Sequence, residues 1–175
     1  MSGDKRARLK HWLESGEATL QPQTFPQREL WESSPVPPGD MANHIACLIN
    51  VRGAITREDC RVAIQKVADR QEVLRLSFLP GKDRPLQMIR RTGEPVFTCH
   101  ELSAAEAIPE AIEERARQVF AVPFDMVQGP LYRVELLHRG GDEHVLVFAI
   151  HHSIADGWEL GVFVQDLWAG YIHVV

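Results

Sequence analysis

Seven consecutive residues, His151-His152-Ser153-Ile154-Ala155-Asp156-Gly157, hold most of the chemistry this chain offers. A histidine side chain, with an ordinary pKa of about 6.5, takes or gives a proton near neutral pH. Asp156 is suited to orient or balance a charged group, and equally to cap a following helix. Gly157 lets a ligand approach the backbone closely, or lets the backbone take a φ that other residues avoid. A metal site is disfavoured, because adjacent strand residues face opposite ways and no third ligand stands at a suitable spacing. A serine-hydrolase elbow is absent, since no GxSxG occurs.

The element that must position these residues precedes them. Val145-Leu146-Val147-Phe148-Ala149-Ile150 is apolar throughout, the pattern of a strand covered on both faces. Side chains alternate along a strand. His151 therefore continues the face of Val145, Val147 and Ala149, and His152 that of Leu146, Phe148 and Ile150. If the extended geometry persists, only one of the two enters a given site. After the motif, Leu160, Phe163, Val164, Leu167, Trp168 and Tyr171 share one helical face. The chemistry thus lies between the end of a central strand and a helix N-terminus, a common placement for functional groups.

The rest of the chain supplies a partner for that strand and layers to cover it. Helices are predicted over 5–15, 27–31, 57–70 and most of 103–122, with Pro109 inside the last or opening its longer part. Thr56-Arg57-Glu58-Asp59 reads as a helix start. Strands are predicted over 44–52, 73–79, 86–91, 96–101, 131–139 and 143–151. Gly140-Gly141-Asp142 is the turn of a hairpin. Residues 21–26 read as a linker, Pro35 to Gly39 as a loop and 81–85 as a turn. The expectation is an α/β fold: a two-layer sandwich of a mixed, mostly antiparallel sheet with helices packed on it.

Composition narrows the function classes. Of 175 residues, 45% are hydrophobic and 25% charged, which suits a soluble globular domain. The net charge of −5 argues against a nucleic-acid binder, which normally shows a basic stripe. No apolar run approaches the roughly 20 residues of a membrane span. Cys47, Cys60 and Cys99 follow no metal or redox spacing and read as reduced thiols of a cytoplasmic protein.

His151 to Trp158 matches HHxxxDGW and resembles the signature of the condensation domains of nonribosomal peptide synthetases, which are chloramphenicol-acetyltransferase-like acyltransferases. Three more stretches resemble that family, in its order. Phe25-Pro26-Gln27-Arg28-Glu29-Leu30-Trp31 resembles an opening motif ending in Q-x-x-L-W. Arg70-Gln71-Glu72-Val73-Leu74-Arg75-Leu76-Ser77-Phe78 resembles R-H-E-x-L-R-T-x-F, with Gln71 in place of histidine and Leu76 in place of threonine. Phe124-Asp125 with Gly129-Pro130-Leu131-Tyr132-Arg133 resembles the segment before the hairpin. The similarity runs over about residues 20 to 171.

The resemblance implies a reaction. An amine on one carrier protein attacks an acyl or peptidyl thioester on another, and an amide forms. It makes His152 the catalytic residue, as base or as positioner of the amine. It gives His151 and Asp156 structural roles, with Asp156 held by Arg75 or Arg70. Arg75 is preferred, because a strand would aim it from a fixed direction. Gly157 and neighbouring N–H groups are expected near the oxyanion. No directly bound cofactor is implied; substrates arrive on the phosphopantetheine arms of carrier proteins. The family's domain has two lobes with the active site in a tunnel between them. The resemblance therefore assigns residues 21–175 to the N-terminal lobe, with the C-terminal lobe absent. Residues 1–20 are a leader, either a docking segment or a capping helix. A lobe alone is expected to expose an apolar face, to self-associate or pair with the missing lobe, and to catalyse poorly. Two other functions fit the motif: an ester-forming acyltransferase, and a non-catalytic lobe that docks a carrier protein or partner lobe.

Overall fold

The structure, a computed structural model, describes residues 3–33, 41–79 and 85–172. The proline loop at 35–39 and the turn residues 81–84 lie outside them. In chain order the elements are α1 (Gly3–Glu14), β1 (Ala18–Pro22), α2 (Phe25–Ser33), β2 (His44–Arg52), α3 (Arg57–Arg70), a 3₁₀ turn (Glu72–Arg75), β3 (Leu76–Leu79), β4 (Leu86–Arg90), β5 (Phe97–Glu101), α4 (Pro109–Ala121), β6 (Tyr132–Gly140), β7 (Glu143–His151) and α5 (Gly157–Ile172). Among them no helix is long and apolar enough to cross a membrane.

The larger sheet runs β2-β7-β6-β5, and only the β5–β6 pair is parallel. β7 lies inside it, and Val145 to Ile150 are all buried. Leu146, Phe148 and Ile150 share a core with Ile64 and Val67 of α3 and Phe163 and Leu167 of α5. Phe148 stacks on Phe163 with ring centroids 4.0 Å apart. Val145, Val147 and Ala149 pack on the other side against Ile112 and Val119 of α4. The sheet is therefore covered on both faces, as the unbroken apolar run requires.

α3 begins where its sequence says. The Thr56 side chain accepts from the Asp59 N–H at 3.1 Å, and Glu58 and Asp59 place negative charge in the first turn. Cys60, Ala63, Ile64, Val67 and Ala68 form its buried stripe.

Three features depart from the sequence expectation within the α/β class. The strands divide into two sheets, with β1, β4 and β3 forming a separate antiparallel one. The expected linker starting at 21 overlaps β1, which pairs with β4 from Ala18↔Arg90 to Pro22↔Leu86. Only Ala18 of β1 is buried, so its strand character comes from β4's backbone and leaves no alternation to read. The expected strand at 73–79 opens as the 3₁₀ turn and extends only from Leu76. Leu9, Trp12 and Leu13 of α1 pack on Ala18, Leu79 and Met88, so α1 lies against the small sheet.

Candidate active site

The site is built at the end of β7. His151 is that strand's last residue and stands opposite His44 of β2. The chain then turns sharply. The Ile154 N–H donates to the His151 carbonyl at 3.1 Å, and the His152 N–H donates to the Asn43 carbonyl at 2.7 Å. His151 is buried on the α4 side, where the alternation places it. His152 has left the strand and is exposed. The two rings are thus separated by the turn as well as by alternation.

Their hydrogen bonds give them opposite tautomers. The Ser153 backbone N–H donates to Nδ1 of His151 at 3.1 Å, and the Ser153 hydroxyl lies 2.8 Å from the same atom. A backbone N–H only donates, so that Nδ1 is bare and the neutral His151 ring carries its proton on Nε2. Nδ1 of His152 lies 2.9 Å from the Ala155 carbonyl, which only accepts. Nδ1 of His152 therefore carries the proton, and Nε2 keeps the lone pair. The exposed ring is the one with a basic nitrogen available.

His151 is held neutral. Burial first, then the neighbouring His44 and His152, push its pKa down to about 4. An unfolded histidine, with a pKa of about 6.5, binds a proton that the folded one refuses. The unfolded state is therefore favoured progressively as pH falls from about 6.5 to about 4. His151→Phe is expected to flatten that part of the stability–pH curve, as read by urea unfolding at a series of pH values.

Asp156 caps α5. Its Oδ1 accepts from the Trp158 N–H at 2.6 Å and the Glu159 N–H at 3.3 Å. Glu159 returns the bond, its Oε2 accepting from the Asp156 N–H at 2.9 Å. This reciprocal pair is a capping box. The side-chain hydrogen bond with Glu159, the two backbone N–H donors and the charge of nearby His152 hold the Asp156 carboxyl below its usual range. Its stabilising effect is present above the ordinary carboxylate pKa and is lost as pH falls through the lowered one. Asp156→Ala is expected to fray the first turn of α5, read as faster amide exchange at Trp158 and Glu159. Gly157 has a negative φ and open space where a Cβ would stand, so neither strain nor packing within this chain requires glycine there.

The expected pairing of Asp156 with Arg75 is not formed. Arg75 ends the 3₁₀ turn and is buried. Its Nε donates to the Ala68 carbonyl at 2.9 Å and Nη2 to that of Asp69 at 3.2 Å, both at the end of α3. Nη1 donates to the carbonyls of Arg90 and, at 2.7 Å, Arg91. Arg75 thus clamps a helix end to the small sheet. Its direction was inferred from a strand that does not exist at that position. Arg70 pairs with Asp166 of α5 at 3.2 Å, and Gln71 donates to the same carboxylate at 2.6 Å. The arginine motif therefore holds α3 against α5 and the small sheet.

His44, Asn43 and Glu159 were not singled out in the sequence, and Ser153 and Phe124 entered it only as members of motifs. Glu159 stands three residues after Asp156 and was readable as the second half of a capping box. Asn43 and His44 carry no local signal, because their roles depend on the β2–β7 register, and Phe124 meets the histidines only through the tertiary fold.

Comparison with known proteins gives the family and the fold. Residues 17–175 match the model of the condensation domain family. The chain is 30% identical over 156 residues to chondramide synthase cmdD of Chondromyces crocatus, covering 88% of this chain and 4% of that protein. It is 29% identical over 153 residues to nonribosomal peptide synthetase kk1B of Curvularia clavata, covering 87% of this chain and 1% of that protein. Among solved structures, the starter condensation domain of the rhizomide synthetase RzmA superposes with a TM-score of 0.77 at 24% identity, over 87% of this chain and 37% of that one. That domain and this chain share a mixed α/β fold. The chain belongs to the condensation domain family, and it spans a minor part of the length of the relatives it matches.

Proposed function

We propose that this chain serves amide-bond formation in nonribosomal peptide synthesis, as the N-terminal lobe of a condensation domain covering residues 21–175. An acyl or peptidyl thioester on one carrier protein and an aminoacyl thioester on another, each on a phosphopantetheine arm, are the substrates. The observation that carries this reading is the state of His152: exposed, its Nδ1 proton engaged by the Ala155 carbonyl, and its Nε2 lone pair open.

His152 acts on the attacking amine as base or as positioner. An α-amine has a pKa of about 8, so near pH 7 roughly a tenth of it is already neutral. His152 therefore need not deprotonate the ground-state amine. Receiving its proton as the tetrahedral intermediate forms is sufficient. His151 and Asp156 shape the turn, Gly157 leaves room beside it, and Arg75 and Arg70 brace α3. Free Cys47, Cys60 and Cys99 fit a reducing, cytoplasmic setting. Burial pushes the Cys60 thiol up to about 12, which makes it inert.

A second reading, a lobe that docks a carrier protein or partner lobe, is favoured by exposed apolar residues near the site. Trp158 is 81% exposed and Leu48, on the edge strand β2, 42%. The test is to incubate the protein with an acyl-loaded donor carrier and an aminoacyl-loaded acceptor carrier, and to resolve the acceptor-bound product by mass. An amide product that requires His152 supports the first reading. Preferential transfer to an alcohol acceptor replaces it with ester formation. Carrier binding without any product that depends on His152 leaves the docking lobe.

A further inference from the structure

Asn43, just before β2, and His44, its first residue, hold the two histidines of the motif. The Asn43 carbonyl takes the His152 backbone N–H, and the His44 ring stands beside the His151 ring, centroids 6.0 Å apart and nearly perpendicular. Phe124 closes a triangle with them, 4.8 Å from His44 and 6.2 Å from His151, edge-on to both. Such edge-to-face contacts fix ring orientation as well as burying area. The Arg133 guanidinium lies 3.8 Å from the Phe124 ring centroid and holds Phe124 from another side.

His44 is itself anchored. It is buried, and its Nδ1 lies 2.8 Å from the Phe120 carbonyl in the last turn of α4. A carbonyl only accepts, so Nδ1 of His44 carries a proton and donates it there. Arg133 donates to the carbonyls of Val119, Val122 and Pro123 in the same region. The end of α4 is thereby tied to β6 by Arg133 and to β2 by His44.

We propose that His44 is a positioning residue for the motif: its ring, wedged with Phe124 against His151, keeps that imidazole in the orientation where Nδ1 accepts from Ser153, and so fixes the turn on which His152 presents Nε2. The charged groups that face His151 act in the same sense. A proton on His44 opposes one on His151, as does a proton on His152. Protonation of His151 at Nδ1 would expel the Ser153 N–H and release the turn.

The proposal rests on the reading of His152 as the reacting residue, but the ring states are measured without turnover. Long-range proton–nitrogen spectra of the labelled protein distinguish imidazole tautomers directly. In the unaltered protein His152 is expected as the Nδ1–H form and His151 as the Nε2–H form. Their observation without any amide product overturns the amide-forming reading alone. His44→Asn keeps a donor toward the Phe120 carbonyl and removes the ring. It is expected to give mixed tautomers at both histidines, and a fall in kcat of about 10- to 10²-fold at unchanged KM if amide formation is catalysed. His44→Phe keeps a ring and removes the donor. It is expected to lower stability but to retain both tautomers. Unchanged tautomers in a folded His44→Asn protein overturn the proposal. Where His44→Asn does not fold, His44→Phe decides. Retained tautomers support positioning by the ring, and mixed tautomers overturn it.

Discussion

Under the proposed function, replacing His152 by alanine is expected to slow amide formation about 10²–10⁴-fold, the usual contribution of a positioned acid–base group. The same change is expected to cost no more than about 1 kcal/mol of stability. The two effects separate because of where the residue stands. His152 is exposed, and its side chain makes one hydrogen bond, to the Ala155 carbonyl. The turn is held by the backbone bonds of His152 N–H to Asn43 and Ile154 N–H to His151 and by the Ser153 N–H bond to the His151 ring, all of which alanine at 152 keeps. His152→Asn refines the test. Its side-chain amide preserves a donor toward Ala155 but has no basic nitrogen. A rate near that of the alanine variant assigns His152 as the proton acceptor. A substantial recovery assigns it as a positioner of the amine. Single-turnover transfer between loaded carriers, with urea unfolding in parallel, reads both quantities.

Arg75→Met is expected to destabilise the fold by about 3 kcal/mol, since hydrogen bonds to charged groups are each worth roughly 1.5–3 kcal/mol and buried acceptors left unpaired are costly. Four carbonyls, of Ala68, Asp69, Arg90 and Arg91, lose their donor together. The first two lie in the last turn of α3, where carbonyls lack helical partners and carry the negative end of the helix dipole. Arg75→Lys is expected to recover little, because one ammonium does not span four acceptors that a planar guanidinium reaches at once. Space is limited as well: a Cβ added at Gly93 would stand 3.1 Å from Cγ of Arg75. Arg70→Ala is the contrast. Its side chain is 72% exposed, and its pair with Asp166 is expected to contribute no more than about 1 kcal/mol. Urea midpoints at constant slope measure all three.

These two arginines show where reading the sequence reached its limit. The motif that contains them was legible, and so was its importance. Their partners were not, because an arginine's long side chain follows the local backbone. The stretch from Leu74 to Leu79 is buried throughout, so no alternation distinguished a strand from a 3₁₀ turn there. β1 was missed for the opposite reason: four of its five residues are exposed, and its pairing is made by backbone groups. By contrast, α3 was legible almost residue for residue. Its cap, acidic first turn and apolar stripe are local and agree with one another.

The amino-acid order by itself determined that a buried strand ends at a histidine pair before a helix. It also determined that the two histidine rings meet different surroundings, and that Asp156 is placed to cap. Those conclusions follow from alternation and from capping chemistry, which act within a few residues. Only the tertiary structure decided which nitrogen of each ring carries the proton. It also decided that His44 and Phe124 press on His151, and that Arg75 serves helix α3 and not Asp156. Hydrogen-bond partners 7, 16 or 76 residues apart are set by sheet register and helix packing. Local spacing carries no record of them.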